Sequence, residues 1–284
     1  MSVDSPFNTW EAAVEWLKRQ PDQSHLVFDC YYDDPLIAAA DRYWRSEEWQ
    51  AVRHLLSGRS GTALDVGAGR GIASYALARD GFEVTALEPD SSSVVGGGAI
   101  RALADESGLS IYVVEDFSER LPFGDGEFDL VFARAVLHHT HDLGVACREF
   151  FRVLKPGGLF LGIREHVISR PADLPRFLEQ HPLHHLYGGE HAFLLDNYVE
   201  ALKQAGFTAL DVVSPWRSSL NFAPYTLATL KDALAQRVGC GHSSLRWCAR
   251  ALLAVPGVWP LVRALLEKVD HRPGRLYSFV AERE

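Results

Sequence analysis

The residues with the clearest chemical potential lie in a glycine-rich stretch, residues 64–71, which reads LDVGAGRG. Asp65 precedes three alternating glycines, Gly67, Gly69 and Gly71. An apolar run enters the stretch and a helical pattern leaves it, which predicts a strand, a turn and a helix start. Glycines allow a tight turn and let a ligand lie against bare main chain, while the helix start offers unpaired N–H groups. An acid ahead of the first glycine would repel a pyrophosphate and suits a cationic ligand.

Acidic side chains also follow the next two predicted strands. Glu88 ends the strand that begins at Phe82 and lies 21 residues after Gly67, where an acid can accept hydrogen bonds from both hydroxyls of a ribose. Asp116 and Phe117 follow the third predicted strand. We expect this carboxylate and this ring to hold an adenine by its amino group and its face.

Four titratable side chains follow the fourth and fifth predicted strands, residues 128–133 and 159–164. They are His138, His139, Glu165 and His166. A histidine here can act as a general base, because its pKa suits neutral pH. Alternatively, His138 and His139 shape the pocket or pair with nearby backbone. We expect Glu165 and His166 to face the molecule on which such a base would act. The alternative is that they form a salt-bridged strand end.

Arg134 directly follows the fourth predicted strand. It is expected either to bind an acidic group of a ligand or to pair with Asp116 or Glu165, structural pairing being the default for such an arginine.

The sequence resembles the class I S-adenosylmethionine (SAM)-dependent methyltransferases of the small-molecule type. Four pieces carry the resemblance, in order from about Gly61 to His166: LDVGAGRG, ALEPD, VVEDFSERLPFGDGEFDLVFARAVLHH and REFFRVLKPGGLF. The resemblance implies SAM as the cofactor, with S-adenosylhomocysteine as its product. It implies the methionine part of SAM beside the glycine loop, the ribose on Glu88 and the adenine on Asp116 and Phe117. The expected cofactor-binding residues are Asp65, Gly67, Ala68, Gly69, Glu88, Pro89, Asp116, Phe117 and Arg134.

The alternation of strands and helices predicts an α/β fold, a Rossmann-like, doubly wound parallel sheet. The resemblance implies seven strands, with the last one antiparallel. We expect an N-terminal helical cap at 1–57, a SAM-binding core at 58–215 and 274–284, and a helical insertion at 216–273. The cap is expected to contain one long helix, residues 36–56. This helix is expected to cover the sheet. The alternative, which the resemblance implies, is that Tyr31, Tyr32 or Tyr43 closes over the methionine end of SAM.

The insertion is expected to form part of an acceptor pocket or a dimer face, although a plain subdomain core would explain its aromatic residues equally well. The run Gly96–Gly98 disfavours a helix after Glu88, so this helix is expected either to pack very closely or to be broken there.

Composition narrows the range of partners. The net charge of −9 disfavours a general nucleic-acid binder. The four cysteines form no C-x-x-C pair, and a reduced, cytoplasmic setting is expected. The polar N-terminus does not resemble a signal peptide, and no apolar run reaches the ~20 residues of a membrane span. No metal is expected, although His166, His181, His184, His185 and His191 are numerous enough to raise the question. The loop around residues 181–191 is instead expected to cover the acceptor.

These observations predict methyl transfer from SAM to a small molecule, at the oxygen of a hydroxyl on a carbohydrate, glycoconjugate or secondary metabolite. An N- or C-methyltransferase, for which His138 would be dispensable, is the alternative among enzymes. Outside enzymes, the alternatives are a SAM-binding partner protein without catalysis and peripheral membrane binding through residues 251–262.

Overall fold

The computed structural model describes residues 9–180 and 191–284. Four short helices precede the sheet: α1 (Trp10–Lys18), α2 (Ser24–Asp29), α3 (Leu36–Trp44) and α4 (Glu47–Leu55). Five more helices alternate with the strands: α5 (Ile72–Arg79), α6 (Gly97–Ser107), α7 (Leu143–Val153), α8 (Leu174–Leu178) and α9 (Leu195–Ala205). Three consecutive helices fill the predicted insertion: α10 (Leu227–Gly239), α11 (Ser243–Ala254) and α12 (Val258–Val269).

The described strands form one sheet. They are β1 (Thr62–Val66), β2 (Glu83–Leu87), β3 (Ile111–Val114), β4 (Phe128–Arg134), β5 (Leu154–Ile168), β6 (Phe193–Leu194), β7 (Ala209–Val213) and β8 (Arg275–Glu282). Their order is β3-β2-β1-β4-β5-β8-β7, and the short β6 pairs with the end of β5. Strands β1 to β5 are parallel, while β8 is antiparallel to both β5 and β7. The predicted doubly wound sheet and its antiparallel last strand are confirmed, and β6 is an addition to the seven expected strands.

Pairing register aligns the carboxyl ends of the parallel strands. Val66 lies opposite Leu87 on one side and Ala133 on the other, and Arg134 lies opposite Ile163. The strand order changes direction between β1 and β4, and ligands of such sheets bind in the crevice outside the strand ends at this point. The side chains that follow Val66, Leu87 and Ala133 therefore reach one place.

Two hydrophobic layers sandwich the sheet. Trp49 of α4 and Leu77 of α5 pack on one face, and Phe150 of α7 and Tyr198 of α9 pack on the other. All four side chains are fully buried. Central parallel strands buried on both faces need nearly continuous apolar sequence, which the buried pattern of β1 and β4 shows.

Strand β5 is longer than its sequence predicted. It continues through Glu165 and His166, which were expected to lie beyond its end, because pairing with β8 resumes at Glu165 opposite Tyr277. An irregularity interrupts the pairing between Gly162 and Glu165, and Arg164 within it has a φ of 62°. This irregularity reorients the side chains at the end of the strand.

One helix prediction was wrong, and of the two alternatives for the glycine run the close packing is confirmed. The single helix expected over residues 36–56 is two helices, because Ser46 caps α4 by accepting the Trp49 N–H at 3.0 Å. The glycine run does not break α6 but starts it, with Gly96 as the N-cap. A Cβ on Gly96 would lie 2.0 Å from the Asp90 carbonyl oxygen, so close packing of residues 90–93 requires the glycine.

Among the described residues, no single helix combines the length and apolar character of a membrane span. The consecutive helices α11 and α12 reach these criteria only as a pair, with a bend of 107° between them.

Candidate functional site

A cavity of about 860 Å³ opens at the carboxyl ends of the parallel strands. This size falls within the range of pockets that hold small molecules and cofactors. Every predicted cofactor-binding residue lines it: Asp65, Gly67, Ala68, Gly69, Glu88, Pro89, Asp116, Phe117 and Arg134. His138, His139 and His166 also line it, whereas Glu165 does not. The structure thus brings the predicted residues to one place, except that Glu165 does not face the cavity as expected.

The loop after β1 needs its glycines. Gly67, Gly69 and Gly71 have φ values of 60°, 55° and 81°, in the left-handed region that side chains disfavour. A Cβ on Gly67 would also lie 2.7 Å from a methyl of Val136 on the loop after β4. The two loops therefore approach each other more closely than a side chain at this position would allow, and bare main chain faces the cavity.

Two buried carboxylates flank this loop. Glu88 accepts hydrogen bonds from the N–H groups of Gly69 at 2.7 Å and Asp90 at 3.0 Å. Asp65 accepts one from the Ser74 hydroxyl at 2.6 Å. Burial raises the pKa of Glu88, and it raises the pKa of Asp65 to about 7. A cationic or hydroxyl-bearing ligand beside them would stabilise the ionised forms.

Asp116 and Phe117 lie at the cavity mouth. Asp116 is half-buried and its Oδ1 accepts the Phe117 N–H at 2.8 Å. The Phe117 side chain is 57 % exposed. An exposed ring with a carboxylate beside it offers a stacking surface and a hydrogen-bond acceptor, as an adenine requires.

His138 and Glu165 form a buried pair. His138 Nδ1 lies 2.7 Å from Glu165 Oε2, and Glu165 also accepts the N–H groups of Val136 at 3.0 Å and His138 at 3.1 Å. The Glu165 side chain has no exposure, and burial raises its pKa to about 7. Above pH 7 the ionised Glu165 carboxylate can only accept, so Nδ1 of His138 carries the ring proton there and Nε2 is the basic nitrogen. Glu165 thus contacts His138 and does not line the cavity.

Two more histidines adjoin this pair. The ring centroid of His138 lies 4.3 Å from that of His139 and 4.8 Å from that of His166. His139 is open to the cavity on one side, but the surrounding protein and the nearby His138 lower its pKa, so it is neutral at pH 7. His166 Nδ1 lies 3.1 Å from the Gly274 carbonyl oxygen, which ties it to the chain just before β8. A cluster of imidazoles therefore occupies the side of the cavity near β4 and β5.

Arg134 pairs with neither Asp116 nor Glu165, the two partners expected for it. Its Nε lies 2.7 Å from Oε1 of Glu48, a buried residue of α4, and Arg164 Nη1 lies 3.4 Å from the other oxygen. Two arginines that line the cavity thus share one carboxylate. This cluster leaves one positive charge in excess beside the cavity, which favours an anionic group in a ligand.

The same wall of the cavity has an unusual backbone. The lining residues Tyr31, Ala135 and Arg164 have φ values of 61°, 56° and 62°. A non-glycine residue held in this region costs of order 1–3 kcal/mol and persists only where the surroundings fix it. Tyr31 and Tyr32 line the cavity, but Tyr43 is fully buried and cannot close over a ligand.

Sequence reasoning missed three residues of the site: Glu48, Arg70 and Arg164. Arg70, the variable residue of the glycine loop, donates to the carbonyl oxygens of Tyr31 at 3.0 Å and Asp33 at 3.1 Å, and to the Asp34 carboxylate at 2.6 Å. It thereby fixes the N-terminal segment over the cavity. The sequence shows both Arg70 in the glycine loop and the Asp33-Asp34 pair, but no local pattern indicates that they contact each other.

Of the histidines considered as metal ligands, His181, His184 and His185 lie outside the described residues, as does most of the loop expected to cover the acceptor. Within residues 9–180 and 191–284, no group of three or more His, Cys, Asp or Glu is arranged to hold a metal ion.

Comparison with known proteins supports the resemblance to the SAM-dependent methyltransferases. Residues 64–162 match a family model described as a methyltransferase domain. The chain is 33 % identical over 125 residues to a demethylmenaquinone methyltransferase of Chlorobaculum tepidum, covering 43 % of this chain and 49 % of the relative. It is 36 % identical over 99 residues to a ubiquinone biosynthesis O-methyltransferase of Caulobacter vibrioides, covering 34 % and 38 %. The matches span less than half the length of each of these relatives.

Solved structures share the fold at low sequence identity. An N-methyltransferase of Haemonchus contortus, solved with phosphomonomethylethanolamine and S-adenosylhomocysteine, has a TM-score of 0.58 at 17 % identity, covering 90 % of this chain and 59 % of that one. A geranyl diphosphate methyltransferase, solved with its substrate and sinefungin, has a TM-score of 0.58 at 15 % identity, covering 89 % and 84 %. The [4+2]-cyclase SpnF has a TM-score of 0.52 at 24 % identity, covering 93 % and 96 %. The fold alone therefore does not fix the reaction.

Proposed function

From the premise that this chain belongs, through its domain at residues 64–162, to the class I SAM-dependent methyltransferases, we propose that it transfers a methyl group from SAM to a hydroxyl oxygen of a small molecule. One observation carries the proposal: the buried His138–Glu165 pair lies beside the same cavity that the glycine loop and Glu88 line. Methyl transfer to a hydroxyl requires a cofactor pocket and a base at one place.

The residues present fit SAM. Glu88 presents a carboxylate for the ribose hydroxyls, Asp116 and Phe117 offer an acceptor and a ring for the adenine, and the glycine loop leaves room for the methionine part. Bound SAM supplies a methyl group already activated on a sulfonium. The protein then has to hold the acceptor in line, exclude water and manage one proton.

His138 is the proposed base. Glu165 holds the proton on Nδ1, so Nε2 accepts the proton of the acceptor hydroxyl as its oxygen attacks the methyl carbon. His139 and His166 border this position, and both are proposed to contact the acceptor. The positive charge left by Arg134 and Arg164 would suit an acceptor with an acidic substituent.

Carbohydrates, glycoconjugates and secondary metabolites stay the proposed acceptor classes. One relative is named a ubiquinone biosynthesis O-methyltransferase, which adds phenolic hydroxyls to the compounds to be tested. For an N- or C-methyltransferase, the alternative reaction, loss of His138 would leave turnover unchanged.

The test has two steps. Isothermal titration with SAM and with S-adenosylhomocysteine asks whether the cavity binds them, and binding of neither would contradict the assignment of the cofactor. A screen of hydroxylated sugars, lipids and phenols, followed by release of S-adenosylhomocysteine, asks for turnover. Cofactor binding without turnover of any compound would favour a SAM-binding protein without methyl transfer.

A further inference from the structure

Helices α11 and α12 expose an unusual amount of apolar surface. Twelve large apolar side chains are exposed in the described part of the chain, and eight of them lie between Val238 and Val269. Leu261 is 73 % exposed and Trp247 is 71 % exposed. Helix α12, VWPLVRALLEKV, has no buried residue, and α11 has one, Leu253. A contiguous apolar patch of this kind marks an interaction surface.

The exposed apolar residues follow helical spacing. Leu245 and Leu252 are seven residues apart on α11, while Leu261, Leu265 and Val269 are four residues apart on α12. Each set therefore lies along one side of its helix. We call these five residues the α11–α12 face. Both helices therefore direct large apolar side chains away from the rest of the protein.

The charge of this region is opposite to that of the chain. Residues 227–269 contain six Lys and Arg against two Asp and Glu, a net charge of +4, in a chain whose net charge is −9. Both acids pair within the segment, Asp232 with Arg250 at 3.0 Å and Glu267 with Arg263 at 3.9 Å. Positive charge beside exposed apolar side chains is the signature of a helix that lies in the interface of an anionic membrane.

We propose that the α11–α12 face is a docking surface for a bilayer that contains anionic phospholipids. Apolar side chains of both helices enter the boundary between headgroups and acyl chains, and Arg246 and Lys268 contact the headgroups. The negative remainder of the chain orients this face toward the membrane, because every other approach brings like charges together. A second copy of the chain is a poorer occupant, since a twofold contact would press two faces of positive charge against each other.

The proposal does not depend on methyl transfer, and its test needs only the full chain. Flotation with phosphatidylcholine vesicles that contain about one third phosphatidylglycerol should carry the protein to the lipid fraction, and vesicles of phosphatidylcholine alone should carry much less. Leu265→Glu should lower the partition coefficient about tenfold or more. Tyr112→Glu is the matched control, because Tyr112 is equally exposed on the distant β3 and the charge change is the same. Arg246→Gln should lower binding to the anionic vesicles about fivefold and leave binding to neutral ones unchanged.

Thermal melting checks that each variant is folded, and Leu261→Glu replaces Leu265→Glu if the latter is not. The proposal is overturned if the wild-type chain stays unbound, or if the folded Leu265→Glu variant floats as well as wild type. It is also overturned if sedimentation shows a dimer that this substitution dissociates while vesicles bind neither form, because the face would then belong to a second copy.

Discussion

Replacing Glu165 by glutamine tests the role assigned to its pair with His138. In the wild-type protein, the Glu165 carboxylate accepts hydrogen bonds from two backbone N–H groups and from Nδ1 of His138. Glutamine has a similar size, but only its oxygen accepts, so its NH₂ group must turn toward one of these donors or donate to Nδ1. If it donates to Nδ1, the ring proton moves to Nε2 and His138 can no longer accept a proton from the acceptor.

The expected loss follows from the contribution of a general base. Such a base contributes about 10²- to 10⁴-fold, so kcat should fall by this factor, equivalent to about 3–5 kcal/mol in the barrier. SAM affinity should stay within about threefold of wild type, because Glu165 does not line the cavity. Turnover is followed by S-adenosylhomocysteine release, and affinity by calorimetry. Glu149→Gln is the matched control, since Glu149 also accepts a backbone N–H, that of Leu121, but pairs with Arg152 away from the cavity.

The tautomer of His138 can also be measured directly, without an acceptor substrate. The ¹⁵N shifts of the His138 ring should show protonated Nδ1 in the wild type above pH 7 and protonated Nε2 in the Glu165→Gln variant. The reasoning would be refuted if the wild-type ring already carries its proton on Nε2. It would also be refuted if the Glu165→Gln variant keeps the wild-type tautomer of His138 and the wild-type kcat, because Glu165 would then contribute only to the structure.

Three further outcomes are expected. Glu88→Gln should weaken SAM binding by about 2–3 kcal/mol, because charge-assisted hydrogen bonds to the ribose are lost. Glu115→Gln, at the exposed position just after β3, should change SAM affinity little. Calorimetry measures both affinities. Asp116→Ala should weaken SAM by about 1 kcal/mol, because the carboxylate is only half-buried, and unchanged affinity would place the adenine elsewhere. Burial raises the pKa of Asp65 to about 7, so the folded state binds its proton more tightly than the unfolded state. The stability from this group is therefore present below about pH 4 and lost as pH rises to 7, with a slope of at most about 1.4 kcal/mol per pH unit. Urea unfolding of Asp65→Asn should show a flatter profile than wild type, and parallel profiles would contradict the raised pKa.

The sequence predicted the parallel half of the fold because its signals are local. Each strand from β1 to β4 is a short, mostly apolar run with a glycine or a charged residue at or just after its carboxyl end, and parallel pairing brings these ends to one edge of the sheet. The positions of Glu88, Asp116 and His138 at one cavity therefore needed only the order of the strands. The extent of β5 was less predictable, because its continuation past Arg164 depends on pairing with β8, more than a hundred residues away.

The ion pairs around the cavity could not be predicted from local sequence in the same way. Arg134 had acids close in sequence, yet its partner is Glu48, 86 residues earlier on α4. Arg70 likewise reaches back to Tyr31, Asp33 and Asp34. These contacts exist because the N-terminal helices pack over the strand ends, an arrangement that depends on tertiary packing rather than on any motif. A buried arginine needs a carboxylate, but periodicity along the chain does not say which one. Short-range sequence patterns thus predict the residues around the glycine loop, whereas the surroundings of Arg134 depend on contacts between distant segments, and the roles of residues there are harder to assign from sequence.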